Sequence, residues 1–510
     1  MRDIKLNPNI SSCQFRQWGT SAARTLTSSP FVLLKLAPVI WRCGAIHTTM
    51  RAETRVKGTW WLPENPEKQL LGELTYSQTG GAELDLYDYF FDVGDDSVLR
   101  RQFTVWGRTV GGKSATLFDC YTRNVSMHLP GGRSAKVSSY RGVIGGHFAT
   151  PAKMQFCRMA CELTHLSDWA ARSGISAERD QTTHTTTFAF RVPQDVLLGE
   201  GNGIKMRLEF AGHASHEQDG YRLREECRLI LECDQLTSCE LFDDMLAKLQ
   251  HFFALGIGKP VYRLSIIARM DQPKYHVENT PIYEEFEFIR KIDLPDDCED
   301  KLLPIQMPFS LAAIDPEPNT ALAAYLDKHA MLDPVYDLYF STLYNRDMPT
   351  RQRFLSLAHG IEAYHRGFIG GKYVTDEAYE RDIRPCFVKA IPGNIDPDFK
   401  VSLLNKLKYL HQFSLRKQIQ DVCGRFEPLL AELCGDPKSF GNRVSDIRNR
   451  LTHPDGNAPC EMDWKELWLL SEQVALVLSV CLLHELGFST EKIRTMLNNN
   501  RHARAIFLNR

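Results

Sequence analysis

The hydrophobic period of this chain changes near residue 305, and that change constrains the fold more than any other feature. From about Lys57 to about Lys291, apolar and polar residues alternate, which is typical of β-strands with one buried face. After the Asp- and Pro-rich residues 294–304, apolar residues recur three and four positions apart, as they do in amphipathic helices. A chain of 510 residues is also too long for one core. We therefore predict an α+β protein, with an N-terminal β-rich domain followed by an all-helical domain.

Glycine turns join the alternating segments of the N-terminal half. Residues 71–87 contain two such segments around Gly80 and Gly81, and residues 103–119 repeat the pattern around a second Gly-Gly pair. One helical interlude is predicted at residues 241–253. Further strands are predicted at residues 185–192, 204–210 and 221–231. Antiparallel strands with glycine turns favour a sandwich-like or curved sheet over a doubly wound parallel sheet.

Beyond residue 305, the periodic segments have the length of helices. They lie at residues 321–329, 334–343, 350–368, 376–390, 399–409, 415–433, 439–451, 463–486 and 489–498. The expected organisation is a leader at residues 1–54, a β-rich domain at residues 55–304 and a helical domain at residues 305–510.

The first fifty residues of the leader are rich in basic, Ser and Thr residues and contain a single acid, Asp3. Its apolar run at residues 32–41 is interrupted by Lys35 and is too short to span a bilayer, which takes about 20 residues. Two interpretations stay open, a transit peptide or translated sequence upstream of a true start at Met50. Neither gives the leader a part in the fold.

The other long apolar stretch, residues 467–486, carries Glu472, His484 and Glu485. Ionisable groups are costly in lipid, so this stretch is predicted to be a packed core helix. We expect a soluble, cytoplasmic protein that does not bind membranes.

Composition limits the ways in which the chain can bind nucleic acid or metal. The formal net charge of −2 excludes a broadly basic protein, so any nucleic-acid contact must come from a local basic patch or from one built by two subunits. Among the fourteen cysteines, Cys157 and Cys161 lie near His165 with a spacing that could align three ligands on one helix face. A fourth ligand is missing, and buried free cysteines in a reducing compartment are the better interpretation. No metal and no cofactor are expected.

Arg448 and His453 form the pattern with the clearest chemistry. Five positions on a helix rotate side chains by about 140°, so the two would not share a face. Pro454 disfavours a helical conformation at His453, which lets the imidazole turn back towards the guanidinium. Such a pair suits phosphodiester chemistry, because imidazole titrates near neutral pH and guanidinium binds phosphate bidentately. Asn449 would orient the His or a phosphate oxygen.

Other residues are candidates for supporting roles. Arg443 and Arg450 would add positive potential for an RNA backbone. On the helix at residues 350–368, Glu362 falls beside apolar positions and would hold Arg448 or His453 by a charge-assisted hydrogen bond, or else be a surface acid.

Several other patterns receive structural interpretations. His359 and His365 point about 240° apart around a helix, so they do not form a zinc site with Glu362. The glycines of residues 256–259 lack the spacing of a phosphate loop and are expected to end the preceding helix.

Two sequence blocks carry a resemblance to known families. Residues 448–453, Arg-Asn-Arg-Leu-Thr-His, resemble the signature of HEPN domains. Residues 57–76, which begin Lys-Gly-Thr-Trp-Trp-Leu-Pro, are similar to the opening of the N-terminal domain of ApeA-type bacterial anti-phage proteins. Of the adjacent Trp60 and Trp61, one is expected in the core, and the other is expected to be exposed for ligand sensing or covered by another domain.

The resemblance implies an abortive-infection effector in which a sensing β-rich domain controls a HEPN endoribonuclease. Its substrate would be host or phage RNA, a phage protein is one candidate trigger, and the domains would pair as a homodimer or higher homo-oligomer. His453 would move protons at the 2′-hydroxyl or leaving oxygen while Arg448 stabilises the phosphate, without a metal. The alternatives are a HEPN module that binds RNA or a partner without catalysis, and a scaffold controlled by another enzyme.

Overall fold

The structure, a computed structural model, describes residues 53–91, 101–128, 131–217, 220–277, 280–298, 300–315, 317–452 and 463–508. The predicted leader therefore lies outside the described residues, apart from its last two positions. Two compact units are present, one of residues up to 250 together with 261–301, the other of residues 251–260 together with 302–510. The predicted boundary near residue 305 is close to the division at residue 302, but it did not anticipate that residues 251–260 belong to the second unit.

The first unit is built from antiparallel strands. The strands are β1 Thr54–Leu62, β2 Asn65–Ser77, β3 Gly81–Leu86, β4 Phe103–Thr109, β5 Ser114–His128, β6 Gly132–Ser139, β7 Arg141–Ile144, β8 Gln155–Leu163, β9 Ile175–Asp180, β10 Thr185–Phe190, β11 Val196–Gly201, β12 Ile204–Glu217, β13 Gly220–Ser238, β14 Arg263–Arg269, β15 Tyr275–Val277, β16 Thr280–Ile282 and β17 Glu285–Arg290. Helix α1 covers Leu166–Ala170, and helix α2 covers Cys239–Ile257.

The strands confirm the predicted antiparallel architecture and both glycine hairpins. Thirteen of the described strands form one sheet, in the order β11-β12-β13-β8-β14-β17-β7-β5-β4-β1-β2-β3-β6. Strand β5 also pairs with β6, so β5, β4, β1, β2, β3 and β6 close into a ring of six strands. The sheet is therefore closed into a ring at one end and open at the other. This arrangement is intermediate between the two predicted forms, a sandwich-like sheet and a curved sheet.

Strand β5 belongs to both parts of this sheet. Its first half pairs with β4 on one side and with β7 on the other, where Ala115 lies opposite Ile144. Its second half pairs with β6, from Tyr121 to His128. Between the halves, Asp119 has a positive φ of 49° and its carboxylate pairs with a nearby arginine, Arg141, at 2.9 Å. This bend lets one strand close the ring and continue the sheet.

The interior of the ring is apolar, and Trp60 is its largest side chain. Trp60 is fully buried, and its indole N–H donates to the carbonyl of Gly72 at 3.3 Å. A Cβ atom at Gly107 would lie 2.1 Å from the indole ring, so only glycine allows the two strands to enclose it. Trp61 faces the other way and is half-buried. The Trp-Trp pair of the sequence thus divides between the core and the outside of the ring, as predicted.

Two other predictions for this unit have different outcomes. Cys157 and Cys161 lie on strand β8 rather than on a helix, so the less favoured helical alignment with His165 does not form, and both cysteines are free, Cys161 buried and Cys157 half-buried. Burial alternates along β8, as it does in a strand with one buried face. Residues four apart lie on similar sides of a strand and of a helix, so their spacing alone did not distinguish the two. Helix α2 matches the predicted helical interlude, and it ends where Gly258 takes a φ of +73°.

The second unit is helical, as predicted. Its helices are α3 Leu311–Ile314, α4 Pro318–Tyr344, α5 Thr350–Tyr364, α6 Asp376–Ala378, α7 Arg384–Ala390, α8 Pro397–Leu407, α9 Leu415–Arg425, α10 Leu429–Cys434, α11 Pro437–Thr452, α12 Trp464–Glu485, α13 Thr490–Asn499 and α14 Arg501–Leu508. Two π-helical turns, His365–Ile369 and Tyr379–Ile383, extend α5 and join α6 to α7.

Proline positions account for two differences from the predicted helices. The segments expected on either side of Pro334 form one helix, α4, because buried Leu332, Val335 and Tyr336 hold both sides of the proline in the core. Conversely, the single helix expected at residues 415–433 is divided into α9 and α10 before Pro428, which is preceded by a cis peptide bond.

Helix α12 is the centre of the helical unit. It is long and apolar enough to cross a membrane, but 78% of its apolar window is buried inside the unit, as expected for a core helix. Helix α5 packs closely against it, since a Cβ atom at Gly360 would lie 2.8 Å from the Leu478 side chain. Glu485, buried near the end of α12, accepts from the Tyr364 hydroxyl at 2.7 Å and pairs with Lys328 at 2.8 Å.

Glu472, also on α12, is a second buried acid with two partners. Its carboxylate pairs with Arg353 of α5 and accepts from the Nε2 atom of His502 on α14 at 3.0 Å. Burial raises the pKa of this carboxyl, but hydrogen bonding from His502 and the charge of Arg353 outweigh burial and lower the pKa overall. A carboxyl whose pKa is lowered by folding stabilises the fold above its unfolded pKa, and this contribution is lost as pH falls through the folded value.

The Glu472→Gln substitution is expected to lower the free energy of unfolding by about 2 kcal/mol at pH 7, because charge-assisted hydrogen bonds are lost. The difference from the wild type should shrink below about pH 4, where the unfolded glutamate becomes protonated. Urea unfolding at pH 7 and at about pH 3 measures both effects. Glu432→Gln is the control, because its pair with Arg494 is solvent-exposed. Equal losses in the two variants at pH 7 would contradict the role given to Glu472.

Candidate functional site

Helix α11 carries the Arg-Asn-Arg motif, is capped at its first turn and is buried along one face. Asp436 accepts hydrogen bonds from the amide and hydroxyl of Ser439, which caps the helix and lowers the pKa of the Asp436 carboxyl. Phe440, Val444 and Ile447 are buried at helical spacing. The apolar stripe therefore sets which residues of the motif face outwards.

Polar contacts tie α11 to its neighbours on either side. Asp446 pairs with Arg416 of α9 at 2.9 Å between Oδ1 and Nη2. Arg443 donates from Nη2 to the Oε1 atom of Gln473 on α12 at 3.2 Å. Arg443, predicted to contact RNA, is thus exposed but also bound to a neighbouring helix. The end of α11 that carries the motif is held between α9 and α12.

Arg448 lies one turn before the end of the described part of α11. Its side chain is half-buried, and its Nη1 atom is 3.4 Å from the Oδ1 atom of Asn449. Within the described ranges, its guanidinium contacts no carboxylate. The same holds for Arg450, which is exposed. Two neighbouring cations thus carry charge that no acid in the described part of the chain neutralises.

The predicted end of this helix agrees with the structure as far as it is described. Helix α11 continues through Thr452, whose hydroxyl donates back to the carbonyl of Arg448 at 2.9 Å. His453 and Pro454 lie outside the described residues. The predicted approach of the imidazole to Arg448 therefore stays a prediction.

Glu362, which was predicted to hold Arg448 or His453 or else to be a surface acid, contacts Arg366 instead of Arg448, while His453 lies outside the described residues. Glu362 is only 17% exposed, and its carboxylate pairs with Arg366 one turn later at 2.7 Å. The buried stripe of α5 consists of Phe354, Leu357, Ala358, Ile361 and Tyr364. The sequence pattern placed Glu362 within the stripe, but the helix is rotated so that the acid lies at its edge. Among the described residues, Glu362 does not contact Arg448.

His359 and His365 diverge as expected from their spacing. His359 is exposed, while His365 is buried and its Nε2 atom is 2.9 Å from the Oδ2 atom of Asp421. In the residues that the structure describes, no group of three or more His, Cys, Asp and Glu side chains has metal-binding geometry. The His365–Asp421 pair was not anticipated, because its members are far apart in sequence and only the packing of α9 on α5 brings them together.

Trp61 belongs to an aromatic cluster on the outer side of the ring. It lies opposite Trp106 in the β1–β4 register, and both indoles contact His147. The Trp106 and His147 rings stack at 5.1 Å between centroids, and the Nε2 atom of His147 is 2.8 Å from the carbonyl oxygen of Gly107. Trp61 is therefore partly accessible from outside the ring, and its role in ligand sensing stays a prediction.

Comparison with protein-family models matches both halves of the chain. Residues 55–320, more than half of the 510 residues, match the family model of the ApeA N-terminal domain 1. Residues 355–492 match the model of the Apea-like HEPN domain, and this range includes helix α11 and the Arg448–His453 motif. No curated protein and no solved structure matches the chain.

Proposed function

Because the chain belongs to the ApeA family of anti-phage HEPN proteins, we propose that it is a metal-independent endoribonuclease. In this proposal the N-terminal β-rich unit senses infection and regulates the helical unit, which cleaves host or phage RNA. The activity follows from what HEPN domains usually do and from the chemistry of the motif on α11.

The observation that carries this proposal is that no acid in the described part of the chain neutralises the charge of the Arg448 guanidinium. Elsewhere in the helical unit, Arg366, Arg353 and Arg416 are paired with carboxylates, and Arg443 of α11 is bound to an amide. Within the motif, Arg450 is unpaired in the same sense but is exposed, whereas Arg448 is half-buried. Arg448 has no acidic partner in the described part of the chain. A half-buried guanidinium on a fixed helix end is well suited to bind an anionic phosphate bidentately.

The residues of the motif divide the reaction between them in the proposed mechanism. His453 removes the proton from the 2′-hydroxyl or supplies one to the 5′-oxygen of the leaving nucleotide. The 2′-oxygen attacks the adjacent phosphorus, and the bond from phosphorus to the 5′-oxygen breaks. Arg448 stabilises the additional negative charge on the five-coordinate phosphate. The products are a 2′,3′-cyclic phosphate end and a 5′-hydroxyl end.

We propose further that two copies of the helical unit face each other to form the complete site. HEPN domains usually pair in this way, and the modest charge of one chain supports a basic surface assembled by two. A phage protein is the proposed trigger, and the cytoplasm, where phage and host RNA occur together, is the proposed location.

The end groups of the RNA products test the proposed reaction directly. Purified protein is incubated with labelled RNA in EDTA, and we expect cleavage that leaves cyclic phosphate ends, detected by their sensitivity to acid and to cyclic phosphodiesterase. His453→Ala is expected to reduce the rate by about 10²- to 10⁴-fold, the contribution of general acid–base catalysis. Loss of cleavage in EDTA, or 3′-hydroxyl products, would contradict the mechanism. Protection from phage by a folded His453→Ala variant would favour the non-catalytic alternative.

A further inference from the structure

A basic surface is formed by helix α8, the turn that follows it and the start of α9. From Phe399 to Gln420 the sequence contains no acid and five cations. The cations are Lys400, Lys406, Lys408, Arg416 and Lys417. In a chain with a formal net charge of −2, so long a segment without acids is a concentrated positive charge.

The lysines of this segment have no acidic partners among the residues that the structure describes. Lys400, Lys406 and Lys408 are exposed, and Lys417 lies over the ring of Phe413 at 5.6 Å. Arg416 alone pairs with an acid, Asp446, which links this segment to the helix that carries Arg448. The unneutralised charge is therefore joined, through Arg416 of α9, to the helix that carries Arg448.

An exposed aromatic side chain is held in the middle of this segment. Tyr409 is 63% exposed, and neighbouring Leu410 is exposed as well. The residues around Tyr409 are fixed, because Leu407 accepts through its carbonyl from the Tyr379 hydroxyl at 2.5 Å. His411 is buried, stacks on the Tyr379 ring at 4.3 Å and is 2.6 Å from Asp376. A firmly anchored turn thus holds an aromatic ring in solvent.

We propose that this surface, defined as residues 399–417, binds the single-stranded RNA that the helical unit cleaves. Lysines 406 and 408 contact phosphates, and the Tyr409 ring stacks on an unpaired base. The proposal rests on the proposed function and adds to it the binding surface and the strandedness of the substrate. Charge complementarity favours RNA as the occupant, and a rigid exposed ring among lysines is the combination that single-stranded nucleic acid requires.

Fluorescence anisotropy tests the phosphate contacts. The probe is a labelled oligouridine of about 20 nucleotides, and all proteins carry His453→Ala so that the probe stays intact. Replacing both Lys406 and Lys408 with alanine is expected to weaken binding about tenfold and to reduce the salt slope by about 1.4, which corresponds to two phosphate contacts. The matched control is the double alanine variant of Lys57 and Lys113, exposed lysines of the β-rich unit.

The base contact needs a separate comparison. Tyr409→Ala is expected to weaken oligouridine binding about tenfold and to leave the salt slope unchanged, while Tyr409→Phe should bind like the parent. Tyr87→Ala is the matched control, since Tyr87 is 64% exposed in the other unit. Competition by duplex RNA of equal length should be weaker than competition by unlabelled oligouridine.

The outcomes separate this proposal from its alternatives. Unchanged affinity for oligouridine in the Lys406 and Lys408 double variant would overturn the proposed binding surface, even if wild-type protein cleaves RNA. A change in sedimentation of the variants, without a change in RNA affinity, would also overturn it and would identify an interface between copies. If wild-type protein cleaves no RNA but the lysine and tyrosine variants lose binding, the surface stands and the proposed catalytic function fails.

Discussion

The Arg448→Ala substitution is expected to reduce RNA cleavage by about 10²- to 10³-fold, the effect of removing one group that stabilises charge developing in the transition state. Because Arg448 makes no ion pair with a described residue, this change breaks no salt bridge of the fold. The free energy of unfolding should therefore be nearly unchanged. Single-turnover cleavage of labelled RNA, with urea unfolding of the same samples, measures both quantities.

Two matched variants sharpen the interpretation of this result. Arg366→Ala removes a partly exposed arginine whose partner is Glu362, and it should cleave RNA at nearly the wild-type rate. Arg450→Ala removes an exposed neighbour and should weaken RNA binding more than it slows the bound reaction. A folded Arg448→Ala variant that cleaves at the wild-type rate would contradict the assignment of this site.

Replacing Trp60 with alanine is expected to produce the largest loss of stability, about 3–5 kcal/mol, because a fully buried tryptophan leaves a cavity that the strands cannot close. Its indole hydrogen bond to Gly72 is lost as well. Circular dichroism during urea unfolding, in the transition of the β-rich unit, gives the magnitude.

Trp61→Ala is the control for this experiment, since it removes the same kind of side chain from the adjacent position. Trp61 is half-buried against His147, so Trp61→Ala should lower the free energy of unfolding clearly less than Trp60→Ala does. An equal or larger effect at Trp61 would show that the aromatic cluster outside the ring, rather than the core, holds this strand in place.

Periodicity in the sequence was enough to predict the fold class, with antiparallel strands followed by helices. Glycine turns located both hairpins, because the conformations that glycine adopts are rare for other residues. The closure of the ring was not predictable, since it depends on β5 changing partners at Asp119, and no local pattern marks such a change. The continuous helix α4 was also missed, because packing on both sides of Pro334 overcame a local preference.

The candidate site was predictable only where its residues are close in sequence. Arg448, Asn449 and Arg450 were recognised from their order alone. Contacts between distant segments were not, and the pair of Glu362 with Arg366 shows that helical spacing leaves the rotation of a helix uncertain by a fraction of a turn. The basic surface at residues 399–417 depends on an absence of acids over a long segment, a signal that is visible in the sequence but has no motif.

The double role of strand β5 has a consequence for how a change of shape spreads through the first unit. A ring of six hydrogen-bonded strands has no free edge that can open, so its shape changes by shear between neighbouring strands. Strand β5 belongs both to the ring and to the open part of the sheet. A shift of register in the ring would therefore move the backbone of β5 and change its pairing with β7.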